Sequence, residues 1–312
     1  MPPTIIVADK PLLKIGCILG EAPLYDSKTA ILHFVDLEDN KVFHLDTKTL
    51  QYTVEQLEES ITCLAFRKNG PGLACLAAQG VALLPGNSTL TYLSRPLRKS
   101  WAPHTRFNDG ACDSHGRFFA GSVWASDRGI PGQLWRYDPA DGTCLVVDEG
   151  PFTDSNGLGW SSDEKTFYFT DSRANIIYAY DYDVESGAIS NRRVFADTTA
   201  QGQAVDGYAD GLCFDSEGGL WCARWGGSRI VRHAADGTVD AEIVFPTVFK
   251  VTACCFGGPN EDQMYVTTAH CVAGGDIEAA QKQEEFPDSG HLFVVDLAGK
   301  YKGGKWRHSF AG

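Results

Sequence analysis

One short pattern recurs six times along this chain, and it constrains the fold more than any other feature. In its clearest copy, Ala209-Asp210-Gly211-Leu212-Cys213-Phe214-Asp215-Ser216-Glu217-Gly218-Gly219-Leu220-Trp221, an acidic residue and a glycine lead into an apolar run. A polar turn follows, then a second apolar run, which together read as a tight hairpin. The same order of events begins at Gly20-Glu21, Ile61-Thr62, Phe107-Asn108, Ser155-Asn156 and Val251-Thr252. Successive copies lie roughly 40–55 residues apart, the period of a four-stranded propeller blade. Further strand pairs fill the intervals, for example 134–138 with 143–147, so each unit supplies two hairpins.

Helical periodicity is nearly absent; the one candidate, 276–283, is short and runs into Glu284-Glu285-Phe286-Pro287. The pattern predicts an all-β chain, one six-bladed β-propeller domain over 1–312. Ring closure is expected from an outer strand pair made by both termini, 4–7 beside 291–296, which would remove free edges.

In a propeller the innermost strand of each blade starts at one end of the central channel. Residues at equivalent repeat positions therefore converge on the axis. The six leading positions are Glu21, Thr62, Asn108, Asn156, Asp210 and Thr252. Two carboxylates and two carboxamides thus meet at one mouth, a hard-oxygen set suited to Ca²⁺, Mg²⁺ or Mn²⁺, and to Zn²⁺ where water completes the shell. Asx-Gly pairs are also ordinary turn chemistry at strand starts. Against that simpler reading, Glu21 is followed by Ala22-Pro23, and Asp26 and Asp215 already supply turn residues within their repeats. The expectation is a metal ion at the channel mouth.

Composition removes several function classes. A net charge of −13, from 27 basic and 40 acidic residues, argues against nucleic acid and anionic membranes as partners. No stretch is long and apolar enough to span a bilayer, and the first ten residues lack a basic n-region, so a cytoplasmic protein is expected. The ten cysteines lie mostly in strand-like apolar runs without CxxC pairs, which reads as reduced core thiols. Cys254 and Cys255 should face opposite sides of one strand. No Gly-x-Ser-x-Gly elbow, P-loop or dinucleotide fingerprint is present. His104 and His270 read as rim or core residues.

An ordered set of motifs carries a family resemblance: Gly20-Glu21-Ala22-Pro23, Arg106-Phe107-Asn108-Asp109-Gly110, Ser155-Asn156-Gly157-Leu158, Ile189-Ser190-Asn191-Arg192-Arg193 behind Asp181-Tyr182-Asp183, Ala209-Asp210-Gly211, and Cys254-Cys255-Phe256-Gly257-Gly258. From about Gly16 to Leu297 the chain resembles the SMP-30/gluconolactonase/regucalcin family. The resemblance implies a six-bladed propeller, in agreement with the repeat count. It also implies one divalent metal held by Glu21, Asn156 and Asp210, with Asn108 beside it, and hydrolysis of small sugar lactones. In such a site the metal would polarise the lactone carbonyl and Asp210 would take a proton from the attacking water. Arg106 and Asn108 would hydrogen-bond ring oxygens and hydroxyls, with Asp109 in a supporting role.

Two departures stand out. Ala209 occupies a position that is Pro in many relatives. The loop Ser122-Val123-Trp124-Ala125-Ser126-Asp127-Arg128 has Ser126 where animal members carry an acidic substrate contact, so Ser126 is taken as a substrate-binding candidate. Trp225-Gly226-Gly227-Ser228 is more similar to microbial sugar-lactone hydrolases, and Trp124, Trp225 and 101–105 are expected to rim the pocket. The alternatives are a calcium-binding regulatory or scaffold propeller, or a metal-dependent esterase acting on non-sugar lactones or esters. Monomer and homo-oligomer both remain open.

Overall fold

Six sheets radiate from one axis in a computed structural model that describes residues 2–199 and 207–312. The first four blades, 20–56, 61–94, 107–152 and 155–197, are four-stranded antiparallel meanders in chain order. The fifth, 208–244, gains a fifth strand, and the sixth, 250–296, has three. The innermost strands are Gly20–Asp26, Ile61–Phe66, Phe107–Cys112, Ser155–Trp160, Tyr208–Phe214 and Lys250–Gly257.

Burial falls from the axis outward, and the residue types follow it. Ser155–Trp160 and Lys250–Gly257 are buried along their whole length, because neighbouring blades cover both faces. Such strands read as continuous small and apolar runs rather than as alternation. The outermost strand of the first blade, Tyr52–Gln56, is almost wholly exposed. Between the third and fourth blades, Phe119, Trp160, Phe167 and Tyr182 interlock, with Trp160 at 5.3 Å and 78° from Phe119. Each such buried ring stabilises the interface by about 1.5–3 kcal/mol. All ten cysteines are free, and Cys254 and Cys255 do fall in different core clusters on opposite faces of their strand.

The closure differs from the sequence expectation. Thr4–Val7 does not join the strand near 291–296; it runs parallel to Val239–Val244 on the outer edge of the fifth blade. Phe293–Asp296 is instead the third strand of the sixth blade. The reason lies in residues 12–13. Leu12 and Leu13 both donate to the Leu292 carbonyl, and Leu292 donates back to Leu13. That bridge occupies the sixth blade's edge and carries the earlier residues one blade further round. The predicted helix is a 3-10 turn, Ile277–Gln281, with Asp276 capping Ala279, followed by one α turn, Lys282–Glu285.

A segment without a strand of its own seals the far end of the channel. Gly304 donates to the Phe214 carbonyl, His308 to Cys112 and Phe310 to Phe66, each at the end of an inner strand. Trp306 packs over Phe214 at 5.7 Å, and Arg307 reaches the Pro23 carbonyl at 3.5 Å. The mouth is therefore the open end.

Candidate functional site

At the mouth, every inner strand slips its register at the repeat's leading position. The irregularities fall between Glu21 and Leu24, Ile61 and Cys63, Phe107 and Gly110, Asn156 and Leu158, Ala209 and Leu212, and Val251 and Ala253. A β-bulge re-aims the side chain it carries, and bulges favour the rims of barrels and active sites. The glycines after Asn156 and Asp210 serve close approach rather than turn formation. A Cβ on Gly157 would stand 2.5 Å from the Leu212 nitrogen, and one on Gly211 would stand 2.6 Å from the Ala253 Cβ.

Glu21, Arg106, Asn108, Asn156 and Asp210 line one cavity of about 360 Å³. The two threonines at leading positions take other roles. The Thr62 hydroxyl donates to the Leu76 carbonyl at 3.2 Å, and that of Thr252 to the Gly20 carbonyl at 2.6 Å. A chain of amides crosses the mouth. Arg106 Nη1 donates to Asn108 Oδ1, and Asn108 Nδ2 donates to Asn156 Oδ1 at 3.0 Å and to the Ser155 carbonyl at 2.8 Å. Asn156 Nδ2 then donates to Ser172 Oγ at 2.8 Å. This chain fixes Asn156 with its oxygen toward the cavity side of Asn108 and leaves that oxygen a second lone pair.

The carboxylates carry the electrostatic tension. Asp210 is only 4% exposed; its burial pushes its carboxyl well up, and the charges of Glu21, Asp154 and Asp109 push it further. Burial likewise raises Glu21 to about 8, with Asp109 adding to the rise and Arg106 and Arg307 opposing it. Glu21 Oε2 accepts the Ala22 amide at 3.0 Å, and Asp109 accepts the Gly110 amide at 2.6 Å. Arg106 is itself drawn down by burial and held up by Asp154, Glu21 and Glu38. Carboxylates crowded this way in a low-dielectric site call for a neutralising cation. Among the described residues no three His, Cys, Asp or Glu side chains gather around one point; the oxygens that could hold a cation here are those of Glu21 and Asp210 with the Asn156 carboxamide beside them. That mixed oxygen set fits a hard divalent ion completed by water.

Ser126 is not brought to the cavity. It opens an exposed 3-10 turn, Ser126–Arg128, and is absent from the lining. Trp225 does line the cavity, backed by the buried Lys250 ammonium 4.6 Å from its ring, whereas Trp124 is 40% exposed and outside the lining. His104 is exposed, and His270 holds the Ile18 carbonyl through its backbone amide. Glu38, Asp154, Ser172, Arg173 and Tyr208 also line the cavity and were missed from sequence. The available signal was positional: the loop after each second strand, and the residues just before each inner strand, must sit at the mouth.

Comparison with known proteins agrees with this architecture. Residues 19–270 match the family model described as SMP-30/Gluconolactonase/LRE-like region. The chain is 34% identical over 295 residues to a regucalcin of Xenopus laevis, covering 91% of this chain and 94% of that protein. It is equally 34% identical, over 284 residues, to pentonolactonase XacC of Haloferax volcanii, covering 91% and 92%. Among solved structures a luciferin-regenerating enzyme superposes with a TM-score of 0.84 at 26% identity, covering 96% of this chain and 98% of the other. The matched span and the near-complete coverage of its relatives show the family: the chain belongs to the SMP-30/gluconolactonase/LRE-like family.

Proposed function

We propose that this protein is a hydrolase that opens sugar lactones to their hydroxy acids, with a divalent cation held by Glu21, Asn156 and Asp210. One observation carries the reading: the buried Asp210 and half-buried Glu21 carboxylates, both with raised affinity for protons, face a shared cavity beside an Arg106-Asn108-Asn156 hydrogen-bond chain. A relative named pentonolactonase, 34% identical across nearly the whole chain, supports the reaction class. When bound, the cation would supply Lewis-acid polarisation of the lactone carbonyl.

The chain's own groups account for the rest. Arg106 and Asn108 orient the lactone through its ring and hydroxyl oxygens. Asp210 accepts a proton from the water that adds to the carbonyl carbon. The ring C–O bond then breaks, and the departing oxygen takes a proton to become the hydroxyl of the product acid. Burial of Asp210 and the Trp225 wall limit the number of waters that compete for this carboxylate.

The test is pH-stat hydrolysis of gluconolactone, galactonolactone, arabinonolactone and rhamnonolactone after chelation, then after return of Ca²⁺, Mg²⁺, Mn²⁺ or Zn²⁺. Turnover lost to the chelator and restored by one of these ions is the expected result. Turnover indifferent to chelation removes the cation from the reading. Cation binding with no turnover on any lactone replaces the enzyme by a calcium-binding regulatory propeller.

A further inference from the structure

We propose that Asp154 and Arg173 form a second recognition element of the cavity, one that reads neighbouring hydroxyls on a polyhydroxylated lactone. The inference rests on the lactonase reading and names which part of the substrate the enzyme selects.

Asp154 is set firmly in place. Its backbone amide donates to Asp171 Oδ1 at 3.2 Å, and the same oxygen takes the Thr153 amide at 3.0 Å and the Thr153 hydroxyl. Its carbonyl accepts the Ser172 amide at 2.9 Å. Asp171 is 2% exposed, so this clamp belongs to the blade and not to a loose loop. On this fixed backbone Asp154 lines the cavity, close enough to act electrostatically on both Arg106 and Asp210.

Arg173 stands opposite it on the rim, with Nε 3.8 Å from Asp154 Oδ2. A simple structural ion pair accounts poorly for this geometry. Such a pair at a partly exposed rim contributes about 0–1 kcal/mol. At 3.8 Å the two groups are beyond hydrogen-bond distance, so the acceptors of Asp154 and the donors of Arg173 remain available to a third group. The side chains are 30% and 65% exposed, within reach of an incoming ligand. A carboxylate beside a guanidinium matches two adjacent hydroxyls, each of which donates to the first and accepts from the second. Asp210 already serves the reacting water, so Asp154 is placed to select substrate and not to perform the chemistry.

The test compares kcat/KM of the wild type, Asp154→Ala, Asp154→Asn and Arg173→Ala on gluconolactone and on δ-lactones stripped of hydroxyls one at a time. Asp154→Ala should lose about 10–100-fold on the fully hydroxylated lactone, mainly in KM. That loss should vanish for the analogue lacking the hydroxyls Asp154 reads. Asp154→Asn should recover part of it, and Arg173→Ala should follow Asp154→Ala with a smaller loss. An equal loss along the whole series would overturn the proposal, because it would mean that Asp154 acts only through Asp210 or through folding. No loss on any substrate would overturn it too. A wild type inactive on every lactone would overturn the lactonase reading itself, and this inference with it.

Discussion

Two aspartates mark the two ends of one inner strand, Asp210 near the start of Tyr208–Phe214 at the mouth and Asp215 just past its other end, and their surroundings are opposite. Asp215, at the sealed end, is fully engaged. It accepts the amides of Glu217 and Gly219, the Trp221 indole at 2.9 Å and the Arg232 guanidinium at 2.6 Å. Asp210, at the open end, has its affinity for protons raised first by burial and then by the charges of Glu21, Asp154 and Asp109. Both are buried, at 1% and 4% exposure. The difference teaches how to tell a carboxylate spent on the fold from one left open to a proton or a ligand. Burial alone does not distinguish them, but the sign of the neighbouring charge does.

The contrast can be broken at either end. Asp210→Asn should reduce lactone turnover by about 10²–10⁴-fold while the thermal midpoint of the metal-free protein holds or rises, because a repelled charge is gone. A drop in both would place Asp210 with Asp215. Asp215→Ala should do the reverse and destabilise the fold by about 3 kcal/mol in urea titrations, since it strips a partner from Arg232, which is 5% exposed. The fraction that remains folded should keep its turnover.

The pH dependence of stability sharpens the same point. In the folded, metal-free chain the Glu21 carboxyl is pushed up to about 8 from its ordinary 4.5, so folding takes up a proton between those values. The contribution is fully present below about pH 4.5 and is lost as pH rises through about 8. On the proposed reading a divalent cation would replace that proton, so calorimetry should find it raising the midpoint more at about pH 8 than at about pH 5. A cation effect flat with pH would mean that Glu21 is not a ligand. The smallest expected effect is at Ser126: its change to Ala should alter KM by less than about twofold, and a larger shift would bring the exposed turn over the substrate.

The blades, and the convergence of Glu21, Asn108, Asn156 and Asp210 on one cavity, were legible because both repeat. A hairpin is a local pattern, and six copies in order specify which positions converge. What escaped was set by contacts without period. The edge chosen by Thr4–Val7 depends on a single bridge between Leu13 and Leu292, far apart in sequence and without a motif. The sealing segment follows Leu297, where the family resemblance ends, and its anchors are backbone amides that any sequence could supply. Asp154 and Arg173 escaped for a different reason. They flank recognisable positions, but only the folded cavity shows that both belong to its lining.

The shared slip of register has a wider consequence. Six blades present six interchangeable sockets around one axis, and the chain fills four with oxygen-bearing side chains and closes two by tying Thr62 and Thr252 to backbone carbonyls. The scaffold therefore does not dictate how many polar groups, or of what charge, face the mouth; the occupant of each socket does. Re-equipping such a mouth for a different ligand is a matter of changing single residues at these six places, with the barrel beneath them left alone.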